Sequence, residues 1–477
     1  MKRSLILLSL TLGLFSNPYD IKADDEVRRY YKCYQTFVKK RPATNDSRLL
    51  QIKAGSLSGT QACAQLLQTA SLTGSGDKRT IQPAQGNEVL RTFSQLHSSW
   101  FPNDRYNDSV LNGGCYSFTQ DVHDSRESAH QITHALFGMN GAYSRVLLNN
   151  NFVEAVRESS LGSDRERSVM SNTVLEGRFL QRQGTNQRAV WDPRFVEAGK
   201  ITGFREKQTL YLQGFRTLNG IEGDQQIEVT RSLGGGILGS RNYLVLNSGR
   251  NISEKADGGE VMHRLWAQSL YNNLLCRDLP VVRSIDAIRF VERDSHISFR
   301  QGISCMQCHS SMDGLAKGVR NASLVTASNT CDNTIGFNTV HVYRHPTSLP
   351  DLSVPTDGDS QYHLRTPRVH FYFRSAVDSR LHDQQFDNLD QLANYIVNNV
   401  EDYYTCAAKR YYRFLTGIDV PLFDQGDLSS QPISSPEMRK YHGEVLRLGR
   451  EFKNHNNTMR LLQDIIGTET YLRPGQK

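Results

Sequence analysis

The sequence predicts a mainly α protein with minor β, divided into several domains. Three observations predict it. At 477 residues the chain is longer than one typical domain. Apolar residues recur at helical spacing over most of its length, and only a few short stretches carry the β-branched and aromatic character of strands.

The elements follow in order. Lys2 and Arg3 precede an apolar run from Leu5 to Phe15, a basic start and a core too short to span a bilayer. This predicts a signal peptide over residues 1–23, cut near Ala23, and a mature chain with no stable membrane span, in the periplasm or otherwise outside the cytoplasm. "DDEVRRYYKCYQTFVKK" (24–40) reads as a helix ended by Pro42. "SGTQACAQLLQTASL" (58–72) is a second, with Ser58 as its N-cap, and "NEVLRTFSQLHSSWF" (87–101) is a third. Residues 24–200 are therefore expected to be helical, with a Gly/Ser break from Thr73 to Asp77.

Residues 201–300 change character. "QTLYLQGFR" (208–216) and "NYLVLNS" (242–248) look like strands bounded by glycines. "GGGILG" (234–239) lacks the GKS ending of a phosphate-binding loop and is expected to be an ordinary loop. "GEVMHRLWAQSLYNNLLC" (259–276) is a helix that stops before Pro280. Two more strands are expected at "NTVHVYRH" (338–345) and "RVHFYFRS" (368–375). In "NLDQLANYIVNNV", Leu389, Leu392, Ala393, Ile396 and Val397 form a full apolar stripe. "YYTCAAKRYYRFLTG" is a helix with Gly417 at its C-terminal cap, and residues 426–477 form further helices.

Net charge is +7, of which Lys2, Arg3 and Lys22 against Asp20 supply two, leaving +5 on the mature chain. No dense Lys/Arg tract accompanies it, so nucleic acid is not an expected partner.

The chemistry concentrates in "SCMQCHSSMDGLA" (304–316). Covalent haem attachment needs two thiols that add across the two vinyl groups of one porphyrin, and an imidazole under the iron. Cys305, Cys308 and His309 have that spacing. At this composition the pattern arises by chance about 0.004 times. A structural zinc site would want a second CxxC, which is absent. A thioredoxin-like pair would follow a buried strand, and "VERDSHISFRQGIS" (291–304) is too polar for one. A disulfide across two residues is strained. Haem c is thus the expected cofactor, with His309 as proximal ligand and residues 301–425 as its module in the C-terminal half.

The distal ligand stays unassigned. Met312 shares the face of His309 and is placed on the proximal side. The candidates left are His341, His345, His363, His370 and His382, then Met438 and Met459 if the last helices fold back, and an open iron site. "HDSRESAHQITH" carries His123, His130 and His134, the last two at a spacing that can bind metal. It lacks the glutamate of HExxH and reads as a solvated helix face. No catalytic residue is assigned, because neither a nucleophile motif nor a carboxylate pair stands out. Cys33, Cys63, Cys115, Cys276, Cys331 and Cys406 remain, with fifteen connectivities open to them in an exported chain. Cys33 and Cys63, on neighbouring helices, are expected to pair.

In this order, the features resemble a family of exported bacterial cytochrome c-like proteins, abundant in planctomycetes and found also in proteobacteria, whose function is largely undetermined. The likeness runs from near Gly234 to Asp424. It rests on "GGILGSRNYLVLN", then "NNLLCRDLP" with Arg264, Leu274, Leu275, Cys276 and Pro280 in place, then the CxxCH segment with Met312 and Asp313. It closes on "FDNLDQLANYIVNNVEDYYTCAAKRYYRFLTG" with Cys406 and Gly417. Gly314 stands where the family has proline, and Ile418 where it has arginine. The resemblance implies haem binding and electron transfer with a redox partner protein. Two further readings are carried: a haem enzyme or sensor with an open iron, and a disulfide-stapled extracytoplasmic interaction protein without haem.

Overall fold

The computed structural model describes residues 18–73, 77–80, 84–101, 126–157, 178–179, 191–192, 201–207, 217–219, 232–247, 260–330, 336–351, 361–424, 426–427, 433 and 435–473. Residues 1–17, which hold most of the expected signal peptide, the stretch 208–216, Cys115, His123 and Cys331 lie outside this set.

The described chain is mainly helical with minor β. The N-terminal part holds α1 (Pro18–Val38), α2 (Ser47–Lys53), α3 (Gly59–Gln68) and α4 (Ala84–Ser98). Ser58 caps α3 in a reciprocal capping box with Gln61, as its sequence predicts. Cys33 on α1 and Cys63 on α3 form the expected disulfide, with Cα atoms 6.0 Å apart. Next come α5 (Glu127–Gly138) and α6 (Arg145–Leu148).

A sheet that the helical reading of residues 24–200 missed lies against these helices. Its strands are β1 (Leu72–Thr73), β2 (Asp77–Thr80), β3 (Phe152–Arg157) and β6 (Ile201–Lys207), in the order β1-β2-β6-β3 and antiparallel throughout. β1 and β2, on either side of the Gly/Ser break, pair antiparallel, with Thr73 opposite Arg79. A short pair, β4 (Arg178–Phe179) with β5 (Trp191–Asp192), and a three-stranded sheet of β7 (Thr217–Asn219), β8 (Ala322–Thr330) and β9 (Gly336–Arg344) add to the minor β content.

The triple-glycine loop runs through left-handed backbone, with φ of 97°, 69° and 58° at Gly234, Gly235 and Gly236. Its amides are taken by the chain itself: Gly235 N–H donates to Asp390 Oδ1 at 2.8 Å and Gly236 N–H to Asn150 Oδ1 at 2.8 Å. It is a packing joint and offers no anion cradle. The following "NYLVLNS", expected as a strand, is helix α7 (Arg241–Leu246). Tyr243, Leu244 and Leu246 are all buried, and a short, wholly buried apolar run carries no periodicity that separates helix from strand.

Helices α8 (Glu260–Leu275), α9 (Ser284–Ala287) and α10 (Ile303–Ala316) follow. Antiparallel strands β8 (Ala322–Thr330) and β9 (Gly336–Arg344) lead to the hairpin of β10 (Val369–Arg374) and β11 (Leu381–Phe386). Then come α11 (Leu389–Asn399), α12 (Glu401–Thr416), α13 (Pro436–His455), α14 (Thr458–Gly467) and α15 (Glu469–Leu472). The predicted stripe of α11 is its buried set, residue for residue, and Gly417 closes α12 at φ 80°. Cys276, at the end of α8, is joined to Cys406 on α12. The last helices return to the start of the chain, where the Arg29 guanidinium donates to the carbonyls of Ile466 and Thr468 and the Lys32 ammonium to that of Tyr471. One hydrophobic cluster extends from Tyr30 on α1 to Tyr471 on α15.

Candidate functional site

Cys305, Cys308 and His309 all lie on α10. At 3.6 residues per turn the three side chains leave the helix within an arc of about 100°. The preceding residues form no strand: two short 3-10 turns at Ile288–Phe290 and Ser298–Gln301 bring the chain to Gly302, the N-cap. α10 is held from below. Ser311, Leu315 and Ala316 are buried against α8 and β10, and the Tyr271 hydroxyl lies 3.3 Å from both the Ser311 and the Tyr372 carbonyl oxygens. Its first residues, Ile303 to Cys305, are exposed, and Met306 behind them is buried.

Cys305 is exposed, Cys308 is half-buried, and neither is disulfide-bonded. Burial, with Cys305 adding to it, pushes the Cys308 thiol above its ordinary value.

His309 is fixed from two sides. Its Nδ1 lies 3.0 Å from Asp313 Oδ2, one turn further along the helix. The Phe299 ring stacks on its face at 4.1 Å between centroids and 24° between planes. Asp313 is in turn bound through Oδ1 by the Arg264 Nε–H from α8, at 2.9 Å. Burial works to raise the Asp313 carboxyl, but the His309 hydrogen bond and the Arg264 charge outweigh it and hold the group below its usual range. An ionised carboxylate only accepts, so Nδ1 carries a proton in this contact, and Nε2 is the ring nitrogen left for another partner.

Beside His309 opens a cleft of about 390 Å³. Met306, Ser310, Asp313 and Gly314 form its α10 wall. Phe290, Phe299, Val369 and His370 face them, with Arg289, Arg300, Lys317 and Arg368 among its cations. His370, on β10, repeats the pattern of His309: its Nε2 lies 2.7 Å from Asp383 Oδ1, whose Oδ2 accepts from Arg289 at 2.6 Å.

Met312 is half-buried and packs against the core. Of the distal candidates, His370 shares the cleft of His309. Its ring nevertheless sits against α10, with Nδ1 at 3.3 Å from where a Cβ on Gly314 would stand. His345 stacks on His363 at 4.8 Å, and His363 Nδ1–H donates to the Arg320 carbonyl at 2.8 Å. His382 is buried, its Nδ1 2.9 Å from the Tyr395 hydroxyl. The His341 side chain is outside the described set. The last helices fold back against the N-terminal helices, and Met438 and Met459 pack on that core.

The reading of His130 and His134 as a solvated face is corrected. Both are buried on α5, with Phe204 of β6 against their rings at 5.4 and 5.8 Å. Glu206 Oε1 lies 3.5 Å from His134. The sheet that the sequence hid covers this face. Among the described residues, no three His, Cys, Asp or Glu side chains are grouped so as to hold a metal ion, and no helix is long and apolar enough to cross a membrane.

Sequence reasoning missed the roles of Phe299, Arg264 and Asp313. The i,i+4 spacing of His309 and Asp313 was the available signal. Nothing in the sequence marked Phe299. Comparison with protein-family models, with characterised proteins and with solved structures returns no match, so the likeness to the cytochrome c-like family rests on its motifs alone.

Proposed function

We propose that this chain is an extracytoplasmic c-type haem protein that passes single electrons to and from a redox partner protein. One observation carries the reading. Two unbridged thiols and one imidazole, its Nδ1 held by Asp313, stand within five residues of α10 beside the cleft. That donor set suits one flat ligand with two points of covalent attachment and a central metal. Cys305 and Cys308 would hold the porphyrin and His309 its iron; when bound, haem supplies a one-electron couple. The chain's own residues do the rest. Asp313 holds the proton on Nδ1, and Phe299 shields the imidazole face from water. The two disulfides agree with an oxidising compartment.

The cleft beside His309 favours a second reading, in which the iron keeps an open position and binds a small ligand. A six-coordinate, low-spin spectrum rejects that reading and retains the first.

The test is expression in a host that matures c-type cytochromes, followed by a pyridine haemochrome spectrum and an intact mass. The expected result is a c-type band and one haem of added mass, both lost in the Cys305→Ser/Cys308→Ser variant. His309→Ala should keep the added mass and change the iron's spin-state signal. A bare polypeptide mass with both thiols open to alkylation sinks the proposal and leaves the disulfide-stapled interaction protein.

A further inference from the structure

We infer that Asp313 is a positioning residue, which fixes the tautomer of His309 and strengthens its donation to iron, with Arg264 limiting how far that donation goes. The inference rests on the haem reading and deepens it.

Both oxygens of Asp313 are engaged, Oδ2 by His309 and Oδ1 by Arg264. The three groups come from two helices whose mutual packing is set by buried residues: α8 buries Trp266, Leu270 and Tyr271, and α10 buries Leu315 and Ala316. The carboxylate is therefore held in place at both ends. Phe299 fixes the rotation of the imidazole from its face, and a face contact leaves the in-plane direction of Nε2 open. The result is an imidazole delivered as one tautomer in one orientation.

The partner's chemistry matters as much as its position. A carboxylate hydrogen-bonded to a ligating histidine makes the imidazole more basic. A more electron-rich ligand favours the oxidised iron, so the reduction potential falls. Arg264 opposes this by drawing charge from the same carboxylate through Oδ1. The two residues thus push the potential in opposite directions, and a purely structural role for either would not produce that pattern.

The experiment has two arms. In the chain without haem, nitrogen-15 NMR of the His309 ring should report a single Nδ1–H tautomer in wild type, and a mixture in Asp313→Asn. In the haem-loaded protein, Asp313→Asn should raise the midpoint potential and lower the iron–histidine stretching frequency. Arg264→Gln should do the reverse, and Asp313→Glu should return part of the wild-type value. An Nε2–H tautomer in wild type overturns the inference, as do potentials in Asp313→Asn and Arg264→Gln that move together or not at all. If no haem is held, the haem reading falls alone, and the NMR arm still decides whether Asp313 orients His309.

Discussion

Asp402 sits in the first turn of α12 with no solvent exposure, its Oδ1 accepting the Ala376 N–H at 2.7 Å. Burial raises its carboxyl from 3.8 to about 6 in the fold. A proton is therefore bound more tightly by the folded chain than by the unfolded one. Stability is full below the unfolded value near 3.8, and it is lost as pH rises through the folded value near 6. At about 1.4 kcal/mol for each tenfold change in proton affinity, the loss amounts to about 3 kcal/mol. Asp402→Asn keeps an oxygen for Ala376 and cannot ionise, so it escapes the loss. Urea unfolding of both proteins at several points between pH 4 and 7.5 measures this. Other titrating groups cancel in the difference. The variant should gain on wild type by most of that amount across the range, with the steepest change below pH 6. A difference that stays level across the range would refute a raised Asp402. So would one that shrinks with pH.

Other outcomes follow from the same structure. Replacing both Cys276 and Cys406 with serine reopens a loop of 130 residues, and loop-closure entropy puts the loss at about 5 kcal/mol. Chemical denaturation without reductant reads it, and a loss below about 1 kcal/mol contradicts the pairing. Gly449 on α13 is pressed against Thr405, where an added Cβ would lie 2.7 Å from the Thr405 Cα, whereas Gly443 on the same helix has nothing within 4 Å. Gly449→Ala should destabilise by about 1–3 kcal/mol through overpacking. Gly443→Ala should stabilise by up to about 1 kcal/mol through helix propensity. Thermal melts that rank the two variants the other way rule out the α12–α13 contact.

The helices were legible because their information is local. Ser58 with Gln61, the stripe of α11 and Gly417 each state their role within a few residues. The sheet was not, because β3 and β6 are short and β2 finds its partner β6 more than a hundred residues away. Missing the sheet also turned the faces of His130 and His134 outward in the reading, where Phe204 and Glu206 in fact cover them. The site divides the same way. Cys305, Cys308 and His309 announce themselves by spacing, and Asp313 is one helical turn from its partner. Arg264 is in range only because α8 crosses α10, and the cleft wall of Val369 and His370 arrives from a strand some sixty residues on. Such juxtapositions are made by packing and leave no local trace.

The clasp between the chain's two extremities bears on the order in which it can fold. Arg29 and Lys32 reach partners 437 to 439 positions away. A chain emerging amino end first has no such partners until almost all of it has been delivered. Closing so large a separation is slow, and the first helix meanwhile leans only on its near neighbours.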